Sequence, residues 1–459
     1  MLRTTTLLAL LHSCQAVIYP QHYPPSDSPY GDLDTVFNPE RGTNGGVYST
    51  SNSPEYGAYN FCNMPHVRSP EYKKPEGFEL QYVEVVHRHH KRTPYASNVF
   101  PKEDIGLSCD RVTNFYYGQA VAHNYSAQIG WDAYVDPENP FAHQYGFNGS
   151  CQFPEISEGG LEDSRQHGID IFQNYHGKLG FLPDEFDPKK IKFQVTNNQI
   201  TSQVAGALIG GMYPDLEQQS VDVSIQRADS DYLEPKYSCI GADKTKKFIL
   251  SSEGWNEHLE RSEYLFNELD AISGVNPDNK GWHVSWDHYF DNLAHRLCHG
   301  LPLPCKIDDP STCITEKQAE QVFRLGDHEY NYQYREAPQS TLYSVAKYGI
   351  FLQKVLQHLN EAASGSSEVI YRHNIAHDGS ISPLLGALQI DYLRWPGMGA
   401  EVVFELWKKE GQDFVRVLYG GQPLVTSTPL GTLDLVPLEE FANYLESFLK
   451  ENNVYELCQ

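Results

Sequence analysis

The sequence FELQYVEVVHRHHKRTP at residues 78–94 decides the fold. Its apolar and polar residues first alternate and then run apolar to Val86, which predicts a strand that enters a buried sheet. A cluster of basic side chains, residues 87–92, follows this strand at once. Because ligands of open α/β sheets bind beyond the carboxyl ends of strands, the cluster stands where a binding site is expected.

The remaining periodicity predicts an α/β body around this strand. Further strands are predicted at residues 192–196, 368–376, 402–407 and 414–419, and helices at 201–212, 341–361 and 437–449. An amphipathic stretch at 161–182 precedes the second strand. The chain between about 214 and 339 is helix-prone in pieces, which indicates a mainly helical cap inserted into the body.

The first residues are typical of a secretory signal. Arg3 supplies the positive end, residues 7–11 form a short apolar run, and small residues precede a cleavage site after Ala16. A fraying N-terminal helix is the alternative. No later apolar run is long enough to span a bilayer, so a secreted product with no membrane contact is predicted. Retention in a cell wall or delivery to a vacuole is equally compatible.

The cysteines agree with secretion. The chain has nine, and eight remain once the signal with Cys14 is removed: Cys62, Cys109, Cys151, Cys239, Cys298, Cys305, Cys313 and Cys458. An even number in a secreted chain predicts four disulfides, whose pairing the sequence does not decide. No pair has the C-x-x-C spacing of a zinc ribbon or a redox motif. Sequons at Asn124 and Asn148 predict N-glycosylation.

Composition narrows the function classes. The chain carries 60 acidic and 35 basic residues, a formal charge of −25. Such an acidic body repels nucleic acid and anionic membranes, so neither is an expected partner. Hydrophobic residues make up 40% of the chain, which is enough for a core and argues against global disorder.

These observations divide the 459-residue chain into a signal peptide at 1–16, an extended arm at 17–75, an α/β body at 76–213 and 340–459, and the cap at 214–339. The arm is rich in Pro, Ser, Gly, Asn and Tyr and lacks periodicity. We expect Cys62 and the tyrosines to attach it to the body or to a neighbouring subunit. A homo-oligomer formed through the arm is therefore a hypothesis.

Two arginines flank a histidine in the run Arg88-His89-His90-Lys91-Arg92. Guanidinium groups bind phosphate oxygens bidentately and keep their charge. A neutral imidazole between them can attack phosphorus and form a phosphohistidine, while the arginines stabilise the equatorial oxygens. The alternatives are a solvated basic loop and a metal-binding cluster of His87, His89 and His90.

The pair His377-Asp378 follows the predicted strand at 368–376. A histidine at this place could hold a phosphate oxygen, and the adjacent carboxylic acid could protonate a leaving alcohol. The structural alternative is an aspartate that caps the next helix.

Together these segments resemble the histidine acid phosphatases, the phytase-like branch of the phosphoglycerate mutase-like superfamily. That family opens with Arg-His-Gly-X-Arg-X-Pro after a strand, and residues 88–94 match it except that His90 replaces the glycine. Its late motif, His-Asp-Gly, matches residues 377–379. The resemblance runs from about residue 82 to the end, with the cap only loosely matched. It implies a three-layer α/β sandwich with a mixed central sheet, and the style of the chain suggests a fungal source.

The resemblance also implies roles for single residues. His89 would be the nucleophile, Asp378 the proton donor, and Arg88, Arg92 and His377 the ligands of the phosphoryl group. The substrate would be a phosphomonoester, hydrolysed through a phosphohistidine without a metal or another cofactor. A donor carboxyl must be protonated, which favours acid pH.

Two departures from the family pattern bear on activity. At position 90 a glycine would permit a close backbone approach, whereas His90 adds a donor or narrows the pocket. The family's further phosphate-binding arginine aligns with Ile200, and such a contact is worth about 1.5–3 kcal/mol. Lys91 or a cap residue is the expected substitute. The alternative function is a weak or inactive secreted protein of the same fold that binds or signals.

Two other classes are less favoured. A phosphoglycerate mutase would not meet its substrates outside the cell. A metal-dependent hydrolase would need a carboxylate ligand, and none stands near the HRHH run in the sequence.

Overall fold

The computed structural model describes residues 17–25, 28–38, 55–102, 106–109, 148–216, 220–450 and 453–459, with a few residues between 115 and 138. The predicted signal peptide and Asn124 lie outside this part of the chain. Of Asn148 only the backbone is described.

A mixed eight-stranded sheet forms the centre of the molecule. The strands are β1 (Glu79–Arg88), β2 (Gly106–Leu107), β3 (Phe115–Tyr116), β4 (Gln128–Ile129), β5 (Asn148–Gly149), β6 (Ile191–Val195), β7 (Val223–Ile225), β8 (Tyr371–Ala376), β9 (Glu401–Lys409), β10 (Gln412–Tyr419), β11 (Gln422–Pro423) and β12 (Val436–Pro437). The central sheet has the order β11-β10-β9-β1-β8-β6-β7, with β12 paired to β10. Strand β1 runs parallel to β8 and antiparallel to β9.

Helices cover both faces of this sheet. The helices of the described chain are α1 (Leu33–Phe37), α2 (Glu158–Phe172), α3 (Gln199–Met212), α4 (Ile240–Leu250), α5 (Glu253–Ser273), α6 (Asp287–Cys298), α7 (Glu316–Asn331), α8 (Ser340–Ser364), α9 (Asp378–Ala387), α10 (Leu438–Leu449) and α11 (Asn453–Leu457). A 3₁₀ turn (Ala96–Asn98) and two π-helical turns (Gln173–Lys178 and Tyr332–Glu336) complete the list.

Strand β1 shows how the sequence builds the layers. Val83 and Val85 belong to the apolar cluster formed with α2 and α3, whereas Tyr82 and Val86 belong to the cluster formed with α8, α9 and α10. Successive side chains of a strand point to opposite faces, so a strand covered on both faces is apolar almost throughout. The predicted α/β fold with a mixed central sheet between helical layers is confirmed.

A third apolar cluster lies among α5, α6 and α7 and includes the fully buried Trp286. These helices fall in the range predicted as the cap. Strand β7, which lies in the same range, pairs in parallel with β6, so the central sheet continues into it. The division into body and cap stays a prediction.

All eight predicted cysteines form disulfides, which confirms four bridges. The pairs are Cys62–Cys298, Cys109–Cys151, Cys239–Cys458 and Cys305–Cys313. The first pair joins the arm to α6. Tyr56 and Tyr59 of the arm also donate hydrogen bonds to the carbonyls of Gly421 (2.6 Å) and Trp395 (2.7 Å). The described part of the arm therefore contacts the body of its own chain.

Among the described helices, none combines the length and the apolar character that crossing a membrane requires.

Candidate active site

Two parallel strands end side by side at one edge of the sheet. The register pairs Arg88, the last residue of β1, with Ala376, the last residue of β8. The backbone N–H of His89 donates to the carbonyl of Ala376 at 3.0 Å. His377 and Asp378 follow at once, as the N-cap and the first residue of α9. Two motifs far apart in the sequence thus meet at the carboxyl ends of adjacent strands.

His89 is buried and its tautomer is set by the backbone. Its Nδ1 lies 2.9 Å from the carbonyl oxygen of His90, which can only accept, so Nδ1 carries the proton. The Nε2 atom then keeps its lone pair and accepts a long hydrogen bond from Nε of Arg92 (3.4 Å). Burial first, and then the charges of Arg92 and Arg88, hold the pKa of His89 well below its usual value. The imidazole is therefore neutral, which is the form a nucleophile needs.

Arg88 is almost fully buried and held on three sides. Its Nη2 lies 3.2 Å from Oδ2 of Asp378, and its Nη1 donates to the carbonyl of Pro396 at 2.5 Å. The guanidinium also stands over the ring of Phe61 at 5.2 Å, within the range of a cation–π contact. These contacts fix the position of its charge beside His89.

Arg92 is held by a carboxylate from another part of the chain. Its Nη2 and Nη1 lie 3.2 and 3.3 Å from the two carboxylate oxygens of Asp291 on α6. The guanidinium also stands over the ring of Tyr95 at 4.5 Å. A bidentate pair of this kind fixes the orientation of the guanidinium as well as its position.

His377 completes the group around His89. The two rings lie 5.3 Å apart, centroid to centroid, and Nε2 of His377 lies 2.8 Å from Oγ1 of Thr196. Burial lowers the pKa of His377 to about 3; the charge of Asp378 opposes this shift, and those of Arg92 and Arg88 reinforce it. His377 is thus neutral in the resting site.

Asp378 receives several hydrogen bonds. Its Oδ2 accepts from Nε1 of Trp395 (2.6 Å) and from the hydroxyl of Tyr330 (3.2 Å), besides its contact with Arg88. Burial alone would raise the pKa of Asp378, but the charge of Arg88 and the Trp395 bond outweigh it and hold the pKa below its usual value. The resting carboxyl is therefore ionised. Its Oδ1 also accepts from the N–H of Gly379 (2.9 Å), so Asp378 contributes to the first turn of α9 as well.

The two residues predicted to modify the site point elsewhere. Lys91 is buried, and its Nζ lies 2.8 Å from Oδ2 of Asp163 on α2. Nδ1 of His90 lies 3.0 Å from Oγ of Ser164 on the same helix. The charge of Lys91 is thus paired with a buried carboxylate, and that Lys91 replaces a missing phosphate ligand stays a prediction.

Ile200 lies in the first turn of α3 and is fully buried in the apolar cluster that also contains Ile156 and Val204. It supplies neither a charge nor a hydrogen bond to the site. Thr196, which follows β6 directly, instead provides the contact with His377. The two guanidinium charges that act on His89 are those of Arg88 and Arg92.

The sequence matches the model of the histidine phosphatase superfamily (branch 2) over residues 79–420. The chain belongs to this superfamily. Both motifs of this histidine phosphatase, at residues 88–94 and 377–379, lie inside the matched range.

Two curated histidine phosphatase relatives are named as phosphatases. The chain is 25% identical over 431 residues to 2-phosphoxylose phosphatase 1 of Homo sapiens, which covers 88% of this chain and 87% of that protein. It is 23% identical over 395 residues to lysophosphatidic acid phosphatase type 6 of Bos taurus, which covers 83% and 86%. Both relatives are animal proteins, so the suggested fungal source has no support.

Among solved structures, this histidine phosphatase resembles the apo form of the phytase from Hafnia alvei. The TM-score is 0.52 at 15% identity, over 83% of this chain and 99% of that chain. This likeness concerns the fold alone.

Proposed function

We propose that this histidine phosphatase hydrolyses phosphomonoesters through a phosphohistidine formed on Nε2 of His89. The observation that carries the proposal is the state of His89 itself. Its Nδ1 is bound to the His90 carbonyl, its Nε2 lone pair is available, and two fixed guanidinium groups stand beside it. Nucleophilic catalysis on phosphorus requires this combination.

In the first step, the lone pair of His89 Nε2 attacks phosphorus. The bond from phosphorus to the ester oxygen breaks, its electron pair goes to that oxygen, and protonated Asp378 gives the oxygen its proton. Arg88 and Arg92 offset the charge on the non-bridging oxygens. The hydrogen bond from Nδ1 to the His90 carbonyl stabilises the positive charge that the imidazole gains.

In the second step, water attacks the phosphorus of the intermediate and gives a proton to the Asp378 carboxylate. The nitrogen–phosphorus bond breaks, its electrons return to His89, and inorganic phosphate is released. Asp378 is then protonated again for the next cycle, as microscopic reversibility requires of an acid that also acts as a base.

Substrate binding itself favours the protonated form of Asp378. A phosphoryl dianion between the arginines competes for Arg88, whose charge is the main cause of the lowered pKa of Asp378. The dianion also places negative charge near the carboxyl, and both effects raise that pKa. The same charge raises the pKa of His377, so that its imidazole can donate to a phosphate oxygen.

The proposal includes secretion, with the signal removed after Ala16 and glycans on Asn124 and Asn148. All eight cysteines of the remaining chain are paired, as is typical of proteins folded in an oxidising compartment. The two animal relatives are named for different phosphate esters, so the proposed substrate class is the phosphomonoester.

Phosphate release from p-nitrophenyl phosphate by the purified full chain, across pH 3 to 7 with EDTA present, tests this proposal. We expect activity on the acid side that is lost in His89→Ala. Alkaline quenching, which preserves phosphohistidine, followed by mass spectrometry should find a phosphorylated peptide that contains His89. No turnover by folded wild-type protein would overturn the proposal and favour a secreted binding protein of the same fold.

A further inference from the structure

A second group of histidines lies behind the phosphate loop. His87 on β1, His90 in the loop and His167 on α2 are each 0% exposed. Their ring centroids lie 5.4 Å (His87 to His90), 4.8 Å (His87 to His167) and 5.3 Å (His90 to His167) apart. One nitrogen from each ring lies within 4.8 Å of the nitrogens of the other two.

In two of these rings, the nitrogen that faces away from the other histidines lies next to an oxygen atom. Nδ1 of His87 lies 2.8 Å from the carbonyl oxygen of Arg88, which can only accept. Nε2 of His167 lies 2.8 Å from Oε2 of Glu401, and with Glu401 ionised, the form that a nearby cation favours, this nitrogen donates to the carboxylate. Nε2 of His87 therefore keeps its lone pair, and so does Nδ1 of His167 when Glu401 is ionised.

The third ring is oriented by a serine. Nδ1 of His90 lies 3.0 Å from Oγ of Ser164, and the Ser164 hydroxyl donates its own proton to the carbonyl of Gly160 at 2.6 Å. The hydroxyl oxygen must then accept from Nδ1 of His90. The Nε2 atom of His90 is left with its lone pair, directed at His167.

Three ring nitrogens therefore lie together in the buried interior. Nε2 of His90 and Nδ1 of His167 are 3.4 Å apart, and Nε2 of His87 has no hydrogen-bond partner among the described residues. Acceptors that face one another without a proton repel, and a cation between them removes the repulsion. Two nitrogens bound to one tetrahedral zinc ion at about 2.0–2.1 Å would be about 3.3–3.4 Å apart.

We propose that Nε2 of His87, Nε2 of His90 and Nδ1 of His167 bind a divalent transition-metal ion, with zinc the best fit. Three neutral imidazoles suit zinc. Each ligand uses its other ring nitrogen for a hydrogen bond: His87 to a carbonyl, His90 to a hydroxyl and His167 to a carboxylate. Metal-bound histidines commonly have such outer hydrogen bonds. Glu401, bonded to His167, offsets part of the added charge.

The site explains why residue 90 is a histidine. In the resembling family a glycine stands next to the nucleophile, whereas here the imidazole turns away from the phosphate ligands and joins β1 to α2. Gly399, at φ +72°, makes room for it, because a Cβ atom there would lie 2.8 Å from Nε2 of His90. The ion would be structural, bound while the chain folds, and it would join β1 to α2 behind the phosphate loop.

The chain contains a matched control. His258 is also fully buried and also pairs with a carboxylate, Glu329, at 2.8 Å, and the ring of His328 lies 5.2 Å away. Among the described residues, this second pair has no third ligand atom close enough to complete a metal site. His258→Gln therefore removes a buried histidine–carboxylate pair without touching the proposed ligands.

The test is the metal content of the full chain, refolded with Zn²⁺ or Co²⁺ and freed of loose metal by gel filtration. We expect about one ion per chain, X-ray absorption from zinc bound by three nitrogens at about 2.0–2.1 Å, and visible absorption of tetrahedral Co²⁺. His90→Gln and His167→Gln should lower the content to below about one tenth of an ion per chain, whereas His258→Gln should leave it unchanged.

Wild-type protein that is folded yet retains no ion would overturn the proposal, and this measurement needs no variant to fold. Imidazole ¹⁵N NMR of such protein would then show a proton between His90 and His167, supplied by a protonated Glu401. Equal metal content in wild type and a folded His167→Gln would also overturn it. None of these measurements depends on phosphatase activity. Their outcome therefore tests the metal site independently of the proposed function.

Discussion

The loop after β1 has two sides that differ in charge: one carries two charged arginines, and the other carries neutral histidines. On the phosphate side, Arg88 and Arg92 carry permanent charges, each paired with a carboxylate from a distant segment. On the histidine side, His87 and His90 carry no permanent charge and meet a third ring. Ion pairs can be exchanged for a substrate anion, whereas converging lone pairs are relieved by a metal ion or by a shared proton. One short run of basic residues thus contributes to both the proposed phosphate site and the proposed metal site.

The largest expected effect is a difference in kcat between a variant of the phosphate side and a variant of the histidine side. His89→Ala should lower kcat by about 1,000-fold or more, because it removes the nucleophile. His90→Gln should lower kcat by less than about tenfold, because its ring points away from the phosphate ligands. Steady-state hydrolysis of p-nitrophenyl phosphate by folded variants measures both. Similar losses in the two variants would show that the sides are not separate.

The next effect concerns Asp378. Asp378→Asn keeps the shape but cannot donate a proton, so hydrolysis of alkyl phosphates should fall by about 100- to 10,000-fold. Hydrolysis of p-nitrophenyl phosphate, whose leaving group needs no proton, should fall far less. Comparing kcat/KM for the two ester types measures the difference. Equal losses would assign Asp378 to binding or to the first turn of α9.

A third guanidinium cannot simply be added to the phosphate side. Ile200→Arg places a charge in a fully buried apolar cluster and should destabilise the fold by about 3 kcal/mol or more. Urea unfolding of the variant beside wild type gives this number, and Ile200→Val, which keeps the side chain apolar, should cost about 0.5–1.5 kcal/mol. Unchanged stability with tighter phosphate binding would place residue 200 in the site after all.

The smallest expected effect is a change in sulfate affinity with pH. Sulfate does not titrate in the working range, and its charge should raise the pKa values of Asp378 and His377, both lowered in the resting site. Binding a dianion then takes up protons, so sulfate affinity should rise as pH falls, by up to about tenfold per pH unit for each proton taken up. Isothermal titration calorimetry in buffers of different ionisation enthalpy counts these protons, and Asp378→Asn should take up fewer. Affinity that is independent of pH would contradict the proposed coupling.

Most strands and helices of the α/β body could be predicted because each has its own periodic pattern of apolar residues. Strands β1, β6, β8, β9 and β10 and helices α3, α8 and α10 lie within a few residues of the predicted ranges, since each has its own periodicity. The motif residues 88–92 and 377–378 lie together because parallel strands end at the same edge.

The residues that hold Arg92 and Asp378 in place could not be predicted in this way. Asp291, Tyr330 and Trp395 carry no local signal, and their contacts with Arg92 and Asp378 arise only when separate segments pack together. The same holds for His167, which appeared only as part of an amphipathic stretch. The charge of Lys91 is visible in the sequence and predicts a phosphate contact, whereas its pairing with the buried Asp163 carries no local signal.

The disulfide from Cys62 to Cys298 links the supports of both arginines. Cys62 adjoins Phe61, the ring beneath Arg88, and Cys298 ends α6, the helix whose Asp291 holds Arg92. A single covalent bond therefore joins the two segments that support Arg88 and Arg92. In a reducing compartment the chain would keep both arginines and lose this covalent link. Under the proposed function, the compartment in which the chain folds would thus decide whether the two phosphate ligands are tied together.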